Sequence, residues 1–468
     1  MRYLSTRGQA PALDFSGALL AGLASDGGLY MPDSWPALAS AEIAGFAGQP
    51  YRQVAQTVMS PYLGGAFGGD EFAGMLEAAY AGFRHPAVTP LVQLGDNLFV
   101  LELFHGPTLA FKDVAMQILG RMMDRELARR GQRATIVGAT SGDTGAAAIE
   151  AFRGLANVDV FILYPNGRVS DAQRRQMTTV AAPNVHAIAL EGTFDDCQAI
   201  VKGLFNHHAF RDRMGLAGVN SINWARVMAQ IVYYFTSAVA LGAPHRKVSF
   251  TVPTGNFGDI LAGYAAKRMG LPIDRLVIAT NENDILERAL ATGVYETRGV
   301  RETTSPSMDI QISSNFERLL FDANGRNPEH IRAEMAGLAQ SGRFALSPEQ
   351  HAAIRHEFDA YRTGETGCMK EIQRVWREAN YLIDPHTAVA LHAARKALAK
   401  APGTPMIALS TAHPAKFSTA IQAAIGAPAP LPPHLADLMT AKESFSVLSN
   451  DCAAVEKFIS ERSRAARP

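Results

Sequence analysis

Lys112 lies in the run "FHGPTLAFKDVAMQILG", residues 104 to 120, in a poor place for a lysine. The pattern predicts a helix starting near Thr108, which puts Lys112 in or just after the first turn, where the helix dipole opposes a cation. The residues sharing its face at i+3, i+4 and i+7 are Ala115, Met116 and Leu119, all apolar. Asp113 is adjacent in sequence, and neighbours do not face each other on a helix. Desolvation and a helix N-terminus both favour the neutral amine, the form that attacks an aldehyde. The other reading of the position is a lysine that snorkels to solvent or pairs with Glu102.

Three loops stand where an α/β sheet gathers ligands, after a strand and before a helix. "GATSGDTGAAA", Gly138 to Ala148, has glycines at 138, 142 and 145 that permit close backbone approach, and hydroxyls on Thr140, Ser141 and Thr144. No Lys-Ser/Thr pair follows, so it is not a Walker loop, and it lacks the GxGxxG spacing. On spacing alone it reads equally as an anion site or as a tight capped turn. "PTGNFGD", Pro253 to Asp259, offers successive backbone amides to a phosphate, or is simply a turn. "STAHPAKF", Ser410 to Phe417, brings Thr411, whose hydroxyl suits a ring nitrogen but alone reads better as a helix cap. In "DPHTAVA", Asp384 reads as an N-cap with proline at the first helical position, which makes His386 structural rather than catalytic. One desolvated lysine beside two anion cradles describes a site for a cofactor with an aldehyde and a phosphate acting on an anionic substrate, and pyridoxal 5'-phosphate (PLP) has those parts.

The elements around these loops alternate. "RATIVGA", "VDVFILYP", "KVSFTVP", "RLVIATN" and "PMIALS" read as strands, separated by Ala-rich helices. Such alternation implies parallel sheets covered by helices, an α/β architecture. The first 90 residues read as helices and turns, with "DGGLYMPDSWP" as a loop, and "GAPAPLPPH" (426–434) as a connector to a short amphipathic tail. The chain has 468 residues, 47% hydrophobic and 19% charged, enough for two or three packed domains. Forty-four basic residues balance forty-four acidic ones, so no global field attracts nucleic acid or an anionic membrane. Cys197, Cys368 and Cys452 form no CxxC pair, against a disulfide framework or thiolate zinc site. "VMAQIVYYFTSAVALGAP" is interrupted by polar residues and ends in Gly and Pro, so it reads as a buried helix rather than a membrane span. With no secretory signal pattern at the N-terminus, a cytoplasmic enzyme is expected.

Along nearly the whole chain, a series of runs resembles the threonine synthases, PLP enzymes of the fold-type-II, tryptophan synthase β-like group. They are "YLSTRG…LASDGGLYMP", "FHGPTLAFKDVAMQ", "TSGDTGAAA", "NSINWARVMAQIVYYF", "VPTGNFGDILAG", "SPSMDIQISSNFERLLF", "DPHTAVA" and "TAHPAKF", in the family's order. The resemblance implies two open, twisted, mostly parallel sheets flanked by helices, with the active site between domains and a mainly helical N-terminal segment. It divides the chain into an N-terminal domain (1–90), a large PLP-binding domain (91–130 and 240–425), a small substrate domain (131–239) and a tail (426–468).

The same resemblance implies that Lys112 forms the Schiff base with PLP. Gly255, Asn256, Phe257 and Gly258 would hold its phosphate, and Thr411 would meet the pyridine nitrogen. Thr140, Ser141, Gly142, Thr144 and Gly145 would grip the substrate α-carboxylate. Asp143 stands where many relatives carry asparagine near the phenolic oxygen, so its position carries over but its role does not. Arg226, in "NSINWARV", is the candidate clamp for the substrate phosphate, since a guanidinium binds phosphate bidentately. Its other reading is a surface ion pair at the start of an apolar helix.

The implied reaction takes O-phospho-L-homoserine and water to L-threonine and phosphate, the last step of threonine biosynthesis. Lys112, displaced by the substrate amine, would move protons at the α and β carbons. The alternatives are another fold-type-II lyase, acting on a phospho-amino acid or as a serine or threonine dehydratase, and a non-catalytic relative that binds phosphorylated metabolites. The long N-terminal segment and "SPSMDIQISSNFERLLF" favour the threonine synthases over the dehydratases. A metal hydrolase fits poorly, because the 13 histidines include no HExxH spacing. The expected partner is a small molecule, with no nucleic acid or membrane, in a monomer or homodimer.

Overall fold

The computed structural model describes residues 1–218 and 221–466, so Asn220, the first residue of "NSINWARV", lies outside the described residues. Two sheets organise the chain. The first has six strands in the order Phe358–Arg362, Ile273–Thr280, Val248–Pro253, Met406–Ser410, Leu98–Glu102 and Leu91–Gly95. Every neighbouring pair is parallel except the last, where Leu91–Gly95 turns back against Leu98–Glu102. The second has five parallel strands in the order Ser446–Ser449, Val185–Glu191, Val158–Pro165, Ala134–Ala139 and Leu216–Gly218.

Helices cover both faces of a parallel sheet, which is why its strands read as continuous apolar runs rather than alternating ones. Val158–Pro165 is buried at every position. The charge-free run after Arg226 becomes the buried helix Trp224–Ala240, which packs against the helices Lys112–Arg130 and Gly258–Arg268. No helix among the described residues is long and apolar enough to cross a membrane.

Two segments differ from the sequence expectation. Tyr30–Pro32, expected within a loop, pairs antiparallel with Tyr3–Ser5. Three-residue strands joined across some 25 residues leave no periodicity to read, and the pairing is held by burial: Tyr3 packs on Trp224 and donates its hydroxyl to the Tyr62 carbonyl at 2.7 Å. The C-terminal stretch supplies the edge strand Ser446–Ser449 and the helix Cys452–Arg462, which packs on the helix Phe194–Asn206. Arg464 then anchors on the buried Asp159 at 2.7 Å.

The topology sets the site. Val248–Pro253, Met406–Ser410 and Leu98–Glu102 are consecutive neighbours in the first sheet, and all run the same way. Their carboxyl ends therefore deliver "GNFG", Thr411 and the loop leading to Lys112 to one edge. The second sheet contributes "TSGDTG" from the end of Ala134–Ala139.

Candidate active site

Lys112 is the first residue of its helix, Lys112–Arg130, four positions later than the expected start at Thr108. The difference comes from Asp113. Its carboxylate accepts from the Thr108 N–H at 2.8 Å and the Thr108 hydroxyl at 2.6 Å, folding the preceding residues into a loop over the helix end. Gly106 lies so close to Asp113 that an added Cβ would come within 2.5 Å of it. The Phe111 N–H donates to the Thr411 carbonyl at 2.8 Å, which ties the start of the helix to the neighbouring strand end.

Lys112 is 8% exposed. It does not pair with Glu102, which instead holds His105 at 2.7 Å and the Tyr381 hydroxyl at 2.5 Å. The nearest carboxylate is Asp143, with Oδ2 3.7 Å from Nζ. Burial pushes the Lys112 pKa down; Asp143 opposes this, while Lys416 and Arg226 reinforce it.

Lys112 faces a cavity of about 430 Å³, lined also by Thr140, Ser141, Thr144, Arg226, Gly255 to Gly258 and Thr411. Gly142, Asp143 and Gly145 are not among its lining residues. The "TSGDTG" loop divides its labour accordingly. Thr140 Oγ1 accepts from the N–H groups of Gly142 and Gly145, each at 2.9 Å, which closes the turn. Gly145 packs so tightly that a Cβ there would lie 2.4 Å from Thr140 Cγ2, and Gly142 has φ of 146°. Ser141 and Thr144 remain to meet a ligand at the N-terminus of the helix Asp143–Phe152.

The "GNFG" turn is arranged for an anion. Phe257 adopts φ of 62° before the helix Gly258–Arg268 begins. The Gly255 carbonyl accepts from the Ser313 hydroxyl at 2.5 Å, and the Asn256 carbonyl accepts from the Asn315 N–H at 3.0 Å. Among the described residues, the N–H groups of Gly255 to Gly258 donate to no protein acceptor. Four such amides at a helix N-terminus have the geometry to accept a phosphate.

Arg226 enters at the third position of Trp224–Ala240, whose N-cap Asn223 accepts from the Ala225 N–H at 3.0 Å. Its guanidinium is not a surface ion pair: the residue is 5% exposed, and no carboxylate pairs with it among the described residues. Burial lowers its pKa to about 10. A buried guanidinium without a carboxylate partner, opening onto a cavity, has the chemistry to bind an anionic ligand.

Thr411 does not cap a helix. The following turn, Pro414–Phe417, is capped by His413, whose Nδ1 accepts from the Ala415 N–H at 3.1 Å. The Thr411 hydroxyl is left lining the cavity. His386 also reaches the cavity, but both ring nitrogens are engaged. Nδ1 lies 2.7 Å from Asp384 Oδ2, and Nε2 accepts from the Ser307 N–H at 3.3 Å.

Sequence reasoning passed over Lys416, 3% exposed, whose Nζ lies 2.8 Å from Asp143 Oδ1. Gln173 donates to the same oxygen at 2.8 Å. Burial works to raise the Asp143 pKa, but Lys416 and Lys112 outweigh it and hold the carboxylate below its usual range. Lys416 lies within the quoted "TAHPAKF", and its pairing spans 273 residues, so no local signal announces it. Ser313 and Asn315 were likewise inside a quoted run without an assigned task.

These residues fit PLP: a buried amine whose protonation burial disfavours, a row of backbone amides that donate to no protein acceptor, a neutral hydroxyl, and a second anion-binding group in Arg226. Lys112 would hold the aldehyde, the amides of Gly255 to Gly258 the phosphate, and Thr411 the ring nitrogen.

The comparisons agree with that fit. The family model described as "Pyridoxal-phosphate dependent enzyme" matches residues 83–412. Those described as "Threonine synthase N terminus" and "Threonine synthase, C-terminal" match residues 2–80 and 387–459. The threonine synthase of Pseudomonas aeruginosa is 51% identical, over 100% of both chains. The crystal structure of a PLP-bound threonine synthase from Brucella melitensis is 59% identical, with a TM-score of 0.97 over 99% of this chain and 100% of that one. The yeast threonine synthase structure is 41% identical, with a TM-score of 0.94 over 98% of each chain.

Proposed function

The chain belongs to the threonine synthase family, and from that premise we propose how its residues carry out the family's reaction. It is a PLP enzyme that converts O-phospho-L-homoserine and water to L-threonine and phosphate. PLP, when bound, supplies an electron sink that makes the α and β carbons of the substrate acidic.

Lys112 would hold the cofactor, and its free amine would move protons at the α and β carbons of the substrate. Its burial pushes the amine's pKa down, toward the neutral form. Ser141, Thr144 and the first amides of Asp143–Phe152 bind the α-carboxylate, while Thr140, Gly142 and Gly145 shape that turn. Asp143 lies behind Lys112 as its carboxylate neighbour. Arg226 clamps the phosphate on the γ carbon, which selects phosphohomoserine over serine or threonine and keeps the leaving group in line.

The observation that carries this reading is the buried, unpaired Arg226 on the cavity that Lys112 faces. Arg226→Leu is expected to raise KM for O-phospho-L-homoserine about 100-fold, the loss of two charge-assisted hydrogen bonds, while PLP remains bound. An unchanged KM contradicts the assignment. In the same assay threonine and phosphate are expected in equal amounts, and a 2-keto acid in place of threonine contradicts the retention of water.

Residues 91–130 and 240–425 act as the cofactor-bearing unit, and 131–239 act with the C-terminal stretch as the substrate-bearing unit, with 1–90 packed alongside. Balanced charge and free cysteines support work in a reducing cytoplasm.

A further inference from the structure

Asp143 is shared unequally between two lysines. Lys416 lies 2.8 Å from Oδ1, while Lys112 lies 3.7 Å from Oδ2, beyond hydrogen-bond distance. Lys416 is the more buried of the two, and its Nζ also donates to the Thr108 carbonyl at 2.7 Å, in the loop that Asp113 folds over the start of the Lys112 helix. The carboxylate is further fixed by Gln173. No step of the reaction as described above uses Lys416.

We propose that Lys416 is a positioning residue: it claims the Asp143 carboxylate and so leaves the Lys112 amine without a hydrogen-bonded ion pair.

Charge balance gives the reason. Asp143 and Lys416 neutralise each other at contact distance, so a proton on Lys112 is a surplus charge in a buried place. Arg226, projecting from Trp224–Ala240 into the same cavity, adds to that surplus. The other titratable groups nearby are Asp113 on the Lys112 helix, and His386 and Asp259 in the cavity wall. Asp113 is directed to Thr108, His386 to Asp384 and Ser307, and Asp259 to the hydroxyls of Tyr233 and Tyr234. Asp143 is therefore the acid that decides how tightly Lys112 keeps its proton, and Lys416 decides how much of Asp143 is available. Without Lys416 the carboxylate keeps its Gln173 hydrogen bond but loses its contact cation, and its uncompensated charge beside Lys112 favours the protonated lysine.

This inference rests on Lys112 being the cofactor lysine, which borohydride trapping tests separately; trapping elsewhere overturns that reading, whereas the titrations below overturn only the role of Lys416. The full-length protein freed of PLP is acetylated in competition with a free amine across a pH series, and the Lys112 peptide is quantified by mass spectrometry. Lys416→Met is expected to move the Lys112 midpoint up by about one pH unit or more, and Lys416→Arg to leave it near the parent value. The double variant Asp143→Asn with Lys416→Met removes both charges and is expected to bring the midpoint back. A residue serving only to pack the loop would leave the midpoint of the first variant unmoved, and that result overturns the proposal, as does a double variant that stays with Lys416→Met. If Lys416→Met does not fold, Asp143→Asn asks the same question with the opposite sign: the midpoint is expected to fall, and a midpoint that holds or rises overturns the proposal.

Discussion

Asn315 holds the carbonyl of Asn256 twice, through its backbone N–H at 3.0 Å and its side-chain amide at 2.9 Å. Ser313 holds the preceding carbonyl, that of Gly255, through its hydroxyl. In a trans peptide the N–H points opposite to the carbonyl, so pinning these two carbonyls turns the amides of Asn256 and Phe257 the other way. Ser313 and Asn315 thus orient the amides proposed to hold the phosphate. Asn315→Ala is expected to weaken PLP binding about tenfold or more, read by titrating the cofactor-free protein with PLP. Affinity equal to the parent contradicts this role.

The two glycines of the cradle differ in what they need. A Cβ on Gly255 would lie 2.8 Å from the Ser307 carbonyl oxygen, a backbone atom that cannot step aside cheaply. One on Gly258 comes no closer to protein than 3.4 Å, an ordinary contact. Gly255→Ala is expected to lower the melting temperature of the cofactor-free protein by several degrees, corresponding to about 1–3 kcal/mol of overpacking, and Gly258→Ala to leave it nearly unchanged. Equal losses at both positions contradict the geometry.

Glu334 makes stability depend on pH away from the site. Both carboxylate oxygens are buried and neither makes a hydrogen bond of good geometry, with His330 Nε2 3.7 Å away, and burial, opposed by neighbouring Gln350, raises the pKa from 4.5 to about 7. The native state therefore holds this proton more tightly than the unfolded chain. Its contribution is most favourable below pH 4.5, declines as pH rises to about 7, and is level above that. Glu334→Gln is expected to flatten that decline, making the variant about 1–3 kcal/mol more stable than the parent at pH 8 by denaturant unfolding. A parent and variant with parallel stability profiles contradict the buried, raised carboxyl.

Much of this was legible because the chemistry sits in short contiguous runs. Lys112 betrayed itself by apolar neighbours and an adverse dipole, and "GNFG" and "TSGDTG" by glycines at a strand end. What the sequence hid lies between runs. Lys416 meets Asp143 only because two sheets bring a loop of each together, and Asn315 reaches Asn256 across 59 residues. The helix start slipped from Thr108 to Lys112 because Asp113 bonds backward into the loop, a local competition that periodicity does not register. Ser446–Ser449 was hidden for another reason: four residues at a sheet edge, half of them exposed, carry no apolar run to mark a strand. In "TSGDTG" the tight capped turn is realised, and the anion-site reading is carried into the proposed function. Thr140 caps the turn, and the hydroxyls beside it line the cavity.

The central claim, that Lys112 is the residue bearing PLP, is tested most directly by borohydride reduction of the PLP-loaded protein followed by peptide mapping. The account predicts one pyridoxyl group per chain, on Lys112, and its disappearance in Lys112→Ala. Label on Lys416 or another lysine, or a protein that binds PLP without becoming labelled, would contradict it.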